Sequence, residues 1–411
     1  MNWLNRNLLA FLFLLVLSCN TKEGDLLPEI DPGLDLTEPI ALNEEFLLDP
    51  VKMKINNMAN GNYRGLAHGR FFIDISGPES AYCHPDIQYF PNGFRGYKYW
   101  MVFTPYFGKV GTDFYAKRYE NPTVVVSNDA INWIEPVGIH NPIQFTPSFK
   151  ESFLEKKGEL VQGFWSDVDW LYRNGHFELY YRGSCISADA LKRRGAKTAN
   201  NRSKLKENAQ RTIVRQTSTD GVNWSPLEVA FTSNPPHSPK NSHVISPSFV
   251  EVNKDIFSYE VTFNNNKDRI KSDAHTLVIQ RKSQNGLDFS NFTSSKVINF
   301  LNKPWLELDT DNAVWHLNAN YDQGYYFLVL SVGNVKKYTS DLLYLAYSKD
   351  GINFIVDPKP VISYLAYRSA IFLKQTDSKF MDFGMVIGTK DGNFNYAEIR
   401  VDKDRIKDAF N

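Results

Sequence analysis

Short runs of apolar and β-branched residues alternate along this chain with one polar phrase that is written four times. The phrase has Ser first, Asp or Asn third and an aromatic residue seventh: SNDAINW (127–133), STDGVNW (218–224), SQNGLDF (283–289) and SKDGINF (348–354). Asp-Gly and Asn-Gly favour the positive φ angles of a tight turn, and the aromatic residue can then pack back beneath the turn. Each phrase follows a strand-like run, TVVV, TIVRQT, HTLVIQ or LLYLAY. The pattern therefore predicts strand, turn and strand in each copy.

Each phrase closes a longer unit of four strands. A further strand-like run lies upstream of each phrase, at 97–103, 176–182, 255–263 and 324–330, and another run begins each unit. The third positions of the phrase, at 129, 220, 285 and 350, are spaced by 91, 65 and 65 residues. Four-stranded units that repeat in this way are typical of β-propeller blades. A β-sandwich of many hairpins is the alternative, but it would not require the phrase at so regular an interval.

A fifth, incomplete unit follows the four phrases, with strand-like runs at 366–373, 379–387 and 395–401. Its fourth strand is expected from the N-terminal side of the chain, around GRFFIDI at 69–75, which would close the ring. The predicted fold is therefore all-β, a five-bladed β-propeller of four-stranded antiparallel blades over residues 60–411. The high aromatic content, 14% of residues, agrees with an all-β protein.

The first 19 residues have the features of a targeting segment rather than of a folded domain. Arg6 precedes the apolar stretch Leu8–Leu17, which is too short to cross a bilayer. The segment ends in VLSC, which resembles the lipobox of bacterial lipoproteins and implies lipidation of Cys19; an ordinary secretory signal is the alternative. The acidic, Pro-punctuated residues 20–59 are expected to form a flexible tether. This acidic stretch resembles the surface-export signal of Bacteroidota lipoproteins, which implies an outer-membrane location facing outwards.

The overall charge is neutral, with 46 acidic and 46 basic side chains. Neutrality argues against a nucleic-acid partner, and any membrane contact is expected only through the lipid anchor. The segment 184–211 nevertheless holds eight Lys or Arg residues against two acidic ones, and 263–273 and 333–341 are also basic. Basic loops at the mouth of a propeller would suit an anionic carbohydrate, although solvated loops are often rich in Lys for no such reason.

A resemblance to a known superfamily rests on five sequence segments: HPDIQY (84–89), GYKYWMVFTPY (96–106), ENP (120–122), SNDAINW (127–133) and NPI (141–143). This text is similar to that of the five-bladed propellers of glycoside hydrolase families 43, 32 and 62, and the likeness covers most of the chain after the signal segment. The resemblance implies a ligand at the mouth of a central funnel, where the first strands of the blades begin. The segments expected to converge there are Tyr82–Asp86, Trp165–Asp169, His243–Ser248, Trp315–Asn318 and Tyr367–Ser369.

Glycosidic hydrolysis needs two carboxyl groups, and the family pattern supplies an Asp, a second Asp and a Glu from the first three blades. Asp86 matches the first position and would be the general base or nucleophile, while Asp167 matches the second and would position the substrate. The third position departs from the pattern, because this chain has ISPS, with Ser246–Ser248, where a Glu is expected. Each Asp could instead cap a strand or turn. The replacement acids considered on the same face are Glu120, Glu260 and Glu307, and burial among aromatic residues favours Glu260.

Other polar and aromatic residues near the strand starts are candidates for substrate binding. His84, His243 and His316 lack the spacing of a metal motif such as HxH or HExxH, so contacts to sugar hydroxyls are favoured, and neither a metal nor a cofactor is expected. Arg368 could clamp a carboxylate or phosphate, or form a salt bridge with Asp86 or Asp167. The remaining candidates are Ser246 and two aromatic platforms for stacking on a sugar, Trp165 and Trp315.

The sequence therefore favours a surface lipoprotein that hydrolyses a glycosidic bond in a poly- or oligosaccharide. A glycan-binding lipoprotein without catalysis is the first alternative, and the missing Glu in ISPS is its best argument. A lyase or phosphorylase on the same scaffold is the second alternative, because one carboxylate suffices there. Dependence of turnover on inorganic phosphate would identify the phosphorylase.

Overall fold

The computed structural model describes residues 50–55, 80–107, 121–144, 160–187, 210–232, 245–263, 275–290, 294–334, 337, 339–363, 366–389 and 393–410. Four predictions fall on other residues: lipidation of Cys19, the candidate acid Glu120, the candidate ligand His243 and the strand at 69–75. Most of the three basic segments also lies outside the described residues. No helix in the part of the chain that the structure describes is long and apolar enough to cross a membrane.

The described chain is almost entirely strand. The strands are β1 (Val51–Lys52), β2 (Lys54–Ile55), β3 (Ser80–Phe94), β4 (Tyr97–Phe107), β5 (Thr123–Ser127), β6 (Asn132–Trp133), β7 (Leu160–Arg173), β8 (His176–Ser187), β9 (Gln210–Ser218), β10 (Glu228–Thr232), β11 (Ile245–Val252), β12 (Asp255–Phe263), β13 (Thr276–Ser283), β14 (Lys296–Val297), β15 (Asn299–Phe300), β16 (Asn312–Asp322), β17 (Tyr325–Asn334), β18 (Leu342–Ser348), β19 (Asn353–Val356), β20 (Ala370–Thr376), β21 (Phe380–Gly388) and β22 (Phe394–Asp402). Two short helices, α1 (Trp305–Leu308) and α2 (Lys403–Asp408), complete the described elements.

These strands form a five-bladed β-propeller, as predicted. The innermost strands of blades 1 to 5 are β3, β7, β11, β16 and β20, and each pairs antiparallel with the strand that follows it. Each innermost strand also contacts that of the next blade, and β20 contacts β3, so the ring closes. Five apolar clusters fill the five spaces between neighbouring blades. The core therefore lies between the blades, and the polar first-strand residues face the central axis.

The N-terminal side of the chain closes the ring, but it does so earlier than predicted. β1 pairs antiparallel with β22 as the fourth strand of blade 5, and β2 pairs parallel with β6 of blade 1. Met53 lies between these two strands and is only 6% exposed. Residues 50–55 therefore belong to the propeller, and the boundary at residue 60 and the tether over 20–59 were wrong there. Two-residue strands that contain Lys52 and Lys54 have too little apolar periodicity to be recognised.

The repeated phrase forms the same hydrogen-bonded turn in three blades. In the copy at 348–354, the Oγ atom of Ser348 accepts hydrogen bonds from the backbone N–H groups of Asp350 and Gly351, with N···O distances of 3.2 and 2.9 Å. Asp350 Oδ1 accepts those of Ile352 and Asn353, both at 2.8 Å. The copies at 127–133 and 218–224 repeat these contacts, and the fourth residue of every copy has a positive φ angle. The turn is therefore local scaffold, as the sequence predicted.

The turn also joins neighbouring blades, which the sequence did not reveal. The carbonyl of Gly351 accepts the hydroxyl of Tyr259, from the preceding blade, at 3.0 Å. The carbonyl of Gly286 accepts the hydroxyl of Tyr180 in the same way at 3.1 Å. Two of the four copies of the phrase thus hold a middle strand of the blade before them.

Candidate active site

The first strands of blades 1, 2 and 3 carry a β-bulge at equivalent places. The pairing register shifts between Cys83 and Asp86, between Ser166 and Asp169, and between Ile245 and Ser248. The residues inside these bulges have left-handed backbone angles: His84 at +54°, Asp167 at +53° and Ser246 at +48°. Residues other than Gly rarely adopt such angles, and strain of this kind is often held at functional sites. The bulges turn three polar side chains towards the funnel axis.

These bulge residues meet a histidine from blade 4. His84 Nε2 lies 3.1 Å from Asp167 Oδ1, and Ser246 Oγ is hydrogen-bonded to Nδ1 of His316. The rings of His84 and His316 are 5.4 Å apart. His84, Asp167 and His316 each offer one possible ligand atom, and these three atoms all lie within 4.8 Å of one another. Sequence motifs had argued against a metal, but the fold assembles a donor set from three blades that no linear spacing reveals.

The charges in this cluster are strongly polarised. Burial alone would raise the pKa of Asp167, but the positive charge of Arg182, with Nε 2.7 Å from Oδ2, holds the pKa well below its ordinary value. Burial lowers the pKa of His316 well below its ordinary value, because the charged imidazole would lose its hydration. At neutral pH the cluster therefore contains an ionised carboxylate and a neutral imidazole.

A second layer of polar side chains lies two residues further along the first strands of blades 1 to 4. Each accepts a backbone N–H from the next blade: Asp86 from Trp170 at 2.9 Å, Asp169 from Phe249 at 2.9 Å, Ser248 from Ala319 at 2.8 Å and Asn318 from Ile371 at 3.2 Å. Asp86, expected to be the general base, therefore ties blade 1 to blade 2. Burial raises its pKa to about 6, and the pKa of Asp169 is also raised well above its ordinary value, by burial and then by the charge of Asp86.

Arg368 forms ion pairs and does not present a free fork to the funnel. It is fully buried, and NH2 donates to the carbonyl of Val168 at 2.8 Å. NH1 lies 3.8 Å from Asp167, and NH2 lies 3.6 Å from Asp169. The salt-bridge interpretation therefore describes these contacts, in which the guanidinium links blades 2 and 5, and the clamp for a substrate carboxylate or phosphate stays a prediction.

The described candidate acids do not join the cluster. Glu260 is fully buried between blades 2 and 3, where Oε1 accepts Nε and NH2 of Arg281 at 2.8 and 2.7 Å. The guanidinium of Arg281 stacks on the ring of Phe231 at 4.6 Å, so the pair is part of the packing between blades. Glu307 is exposed on α1. Neither carboxylate has a described contact with His84 or Asp167.

The two predicted sugar platforms are packing residues. Trp165 is fully buried, its ring meets that of Tyr181 edge-on at 5.5 Å, and a Cβ atom added to Gly183 would lie 2.4 Å from it. Trp315 is 5% exposed. Neither ring can offer an open face to a sugar while it is buried in this way.

Several residues of the site were missed in the sequence. Thr104 and Arg182 lie on middle strands, and their polar side chains within apolar runs are the signal that could have identified them. Tyr367 belongs to a segment that was expected to converge, and its ring lies 4.7 Å from that of His316 and 5.9 Å from that of His84. It was not singled out, because tyrosines are common throughout this chain.

Known proteins share the fold and a short stretch of sequence with this chain. No family model matches the chain. The A-type blood N-acetyl-α-D-galactosamine deacetylase of Flavonifractor plautii is 34% identical over 77 residues, which is 19% of this chain and 9% of that protein. The match therefore spans less than a tenth of the length of that relative.

The structural comparison covers most of the chain. The N-acetylgalactosamine deacetylase from F. plautii, in complex with blood group B trisaccharide, aligns with a TM-score of 0.58 and 16% identity over 87% of this chain and 96% of that chain. A family 117 glycoside hydrolase of Zobellia galactanivorans aligns with a TM-score of 0.45 and 12% identity over 87% and 91%. The alignment with the deacetylase is a likeness of fold, and the predicted five-bladed propeller is confirmed.

Proposed function

We propose that this chain is a carbohydrate-active hydrolase that removes the acetyl group from an N-acetylated sugar with the help of a divalent cation. The convergence of His84, Asp167 and His316, with possible ligand atoms within 4.8 Å of one another, carries the proposal. Two imidazoles and one carboxylate that leave other positions open are typical of catalytic zinc sites. The sequence match to an N-acetylgalactosamine deacetylase supports the choice of bond.

The donor set fits a cation in its protonation and in its orientation. Asp167 is ionised and His316 is neutral, as metal ligands must be. His84 Nδ1 is hydrogen-bonded to Thr104 Oγ1 at 2.9 Å, and Asp167 Oδ2 is paired with Arg182. Partners of this kind leave His84 Nε2 and Asp167 Oδ1 directed at a cation and hold them there.

Positive charge in the same site limits the strength of binding. The guanidinium groups of Arg182 and Arg368 both lie against Asp167 and are fully buried. They repel a cation, so we expect exchangeable binding that chelators reverse. When bound, the cation would polarise the acetamide carbonyl as a Lewis acid. The buried residues of the chain orient the ligands, and the low dielectric around them strengthens electrostatic interactions within the site.

Hydrolysis of a glycosidic bond by paired carboxylates is the second candidate. The pKa of Asp86, raised to about 6, favours it, because a general acid needs a raised pKa while its ionised partner, here Asp167, needs a low one. The hydrogen bonds of Asp86 to the backbone of Trp170 and to Asn318 at 3.1 Å count against it. They give Asp86 the same scaffold position as its counterparts in other blades.

An assay of both products separates these candidates. The chain without residues 1–19 would be incubated with oligosaccharides that end in N-acetylgalactosamine, and acetate and reducing ends would be measured with and without EDTA. We expect acetate release that EDTA and His84→Asn abolish and zinc restores after chelation; Asn tolerates the left-handed backbone of His84. Asp382→Asn, which removes one partner of the surface ion pair between Asp382 and Arg400, is the matched control. Reducing ends without acetate would establish the glycosidase, and binding without either product would favour the glycan-binding alternative.

The cellular location is part of the proposal. The apolar stretch Leu8–Leu17 and the VLSC at its end support lipidation of Cys19, and the acidic stretch that follows supports an outward-facing position on the outer membrane. A labelled fatty acid should enter the wild-type protein and not Cys19→Ala, and surface protease should remove the protein from intact cells. Equal labelling of both proteins would refute the anchor.

A further inference from the structure

The hydroxyl group of Ser246 is hydrogen-bonded to a ring nitrogen of His316, and the proposed function does not yet explain this hydroxyl. Ser246 is fully buried, and its Oγ atom is hydrogen-bonded to Nδ1 of His316, which is 1% exposed. Its left-handed backbone, at +48°, matches those of His84 and Asp167 in the neighbouring bulges. A strained backbone at three equivalent places, each directing a side chain into one cluster, indicates that Ser246 belongs to the site.

We propose that Ser246 is a positioning residue that fixes His316 in the tautomer protonated at Nδ1, so that the lone pair of Nε2 faces the cation. The inference rests on the proposed function and deepens it. A metal-ligating imidazole is neutral and has one proton, and the partner of its second nitrogen decides where that proton lies. In the described contacts, the oxygens of Asp167 are taken by His84 and Arg182. The Ser246 hydroxyl is hydrogen-bonded to Nδ1 of His316 and, acting as the acceptor, would hold the proton of His316 there.

This role also accounts for the departure from the family pattern. The resemblance to glycoside hydrolases implies a Glu within the segment where this chain has ISPS, Ser246–Ser248. A carboxylate at position 246 would stand beside Nδ1 of His316, whereas the hydroxyl fits within hydrogen-bond distance of it. The serine thus supports a ligand from the neighbouring blade instead of supplying a general acid.

Variants at two serines of the same strand test the assignment. Ser246→Ala and Ser246→Gly remove the hydroxyl, and glycine favours the left-handed backbone, so at least one variant should fold. Ser248→Ala is the matched control, because Ser248 donates to Asp169 at 2.6 Å and accepts from Ala319 in the scaffold layer. Cobalt(II) would be titrated by its visible absorption into the chain without residues 1–19, with zinc as competitor. We expect about 10–100-fold weaker binding for both Ser246 variants. Ser248→Ala should lower stability and keep the affinity.

A second measurement needs no metal. Nitrogen-15 NMR of the metal-free chain should show His316 protonated at Nδ1 in the wild type and a mixture of tautomers in Ser246→Gly. Equal cobalt affinity in the wild type and both Ser246 variants would overturn the role of Ser246 and leave the proposed function standing. A wild type that binds no cation would overturn the proposed function. A wild-type His316 protonated at Nε2 would separately overturn the assignment of Ser246.

Discussion

Asp167→Asn tests whether one carboxylate balances the positive charges of Arg182 and Arg368 at the centre of the propeller. The substitution keeps the shape of the side chain and suits the left-handed backbone, but it removes the negative charge that Arg182 and Arg368 both contact, while Asp169 stays beside Arg368. All three side chains are fully buried, so solvent cannot compensate. Removal of one partner from a buried ion pair costs about 3–5 kcal/mol. With a urea slope of about 3 kcal/mol per M, the unfolding midpoint should fall by roughly 1–1.7 M.

Urea unfolding followed by tryptophan fluorescence, with EDTA present, measures this cost. Asp382→Asn is the matched control, because Asp382 pairs with Arg400 in an equally short contact of 2.6 Å at the surface, where Arg400 is 61% exposed. That variant should unfold close to the wild type. Arg182→Met added to Asp167→Asn should recover part of the loss, since it removes one of the uncompensated charges. A midpoint for Asp167→Asn that matches that of the surface control would refute the reasoning.

Three further predictions concern the scaffold. Gly221→Ala should lower the free energy of unfolding by about 2–4 kcal/mol, because its φ is +74° and the new Cβ would lie 2.3 Å from the buried ring of Trp100. Gly175→Ala is the control, because Gly175 has a similar φ of +78° but faces open space. In the same urea titration it should lower the free energy of unfolding by only about 1 kcal/mol. Met53→Ala should lower the free energy of unfolding by about 2–4 kcal/mol, because Met53 is buried. Val51→Ala should not lower it, because Val51 is 45% exposed. Equal melting temperatures for the two variants would contradict a role of Met53 in closing the ring. The pKa of Asp86 is raised to about 6 in the folded chain, so the folded state binds the proton more tightly and stability should fall by roughly 2 kcal/mol as pH rises from 4 to 6. Asp86→Asn should flatten that part of the stability profile, and an unchanged slope would refute the shift.

The fold could be predicted because its signals are local. The turn around Asp350 depends on residues within five positions of one another, so each copy is visible in the text. The closing strand at Val51–Lys52 was missed because two residues cannot show a period and pairing with Tyr396 is set by tertiary contact. Contacts between blades, such as that of Tyr259 with Gly351, could not be predicted from the sequence either, because the two residues are far apart along the chain.

The site was predicted in part for a related reason. The segments around His84, Asp167 and His316 were expected to converge, and the described residues do so. The bulges were not predicted, and a bulge shifts which residue of a strand faces the axis. Asp86 matched the family text but lies one layer away from His84, where it holds the next blade. The metal alternative was set aside because ligands from three blades have no common spacing in the sequence.

The account depends most directly on whether His84, Asp167 and His316 bind one cation together. Crystals of the chain without residues 1–19, grown with zinc, would show this by anomalous diffraction at the zinc edge. We expect one strong peak about 2.0–2.2 Å from a nitrogen of each histidine and an oxygen of Asp167. That peak should be absent from crystals of His84→Asn. Zinc that lies only elsewhere, with the three side chains still in contact with one another, would contradict the account.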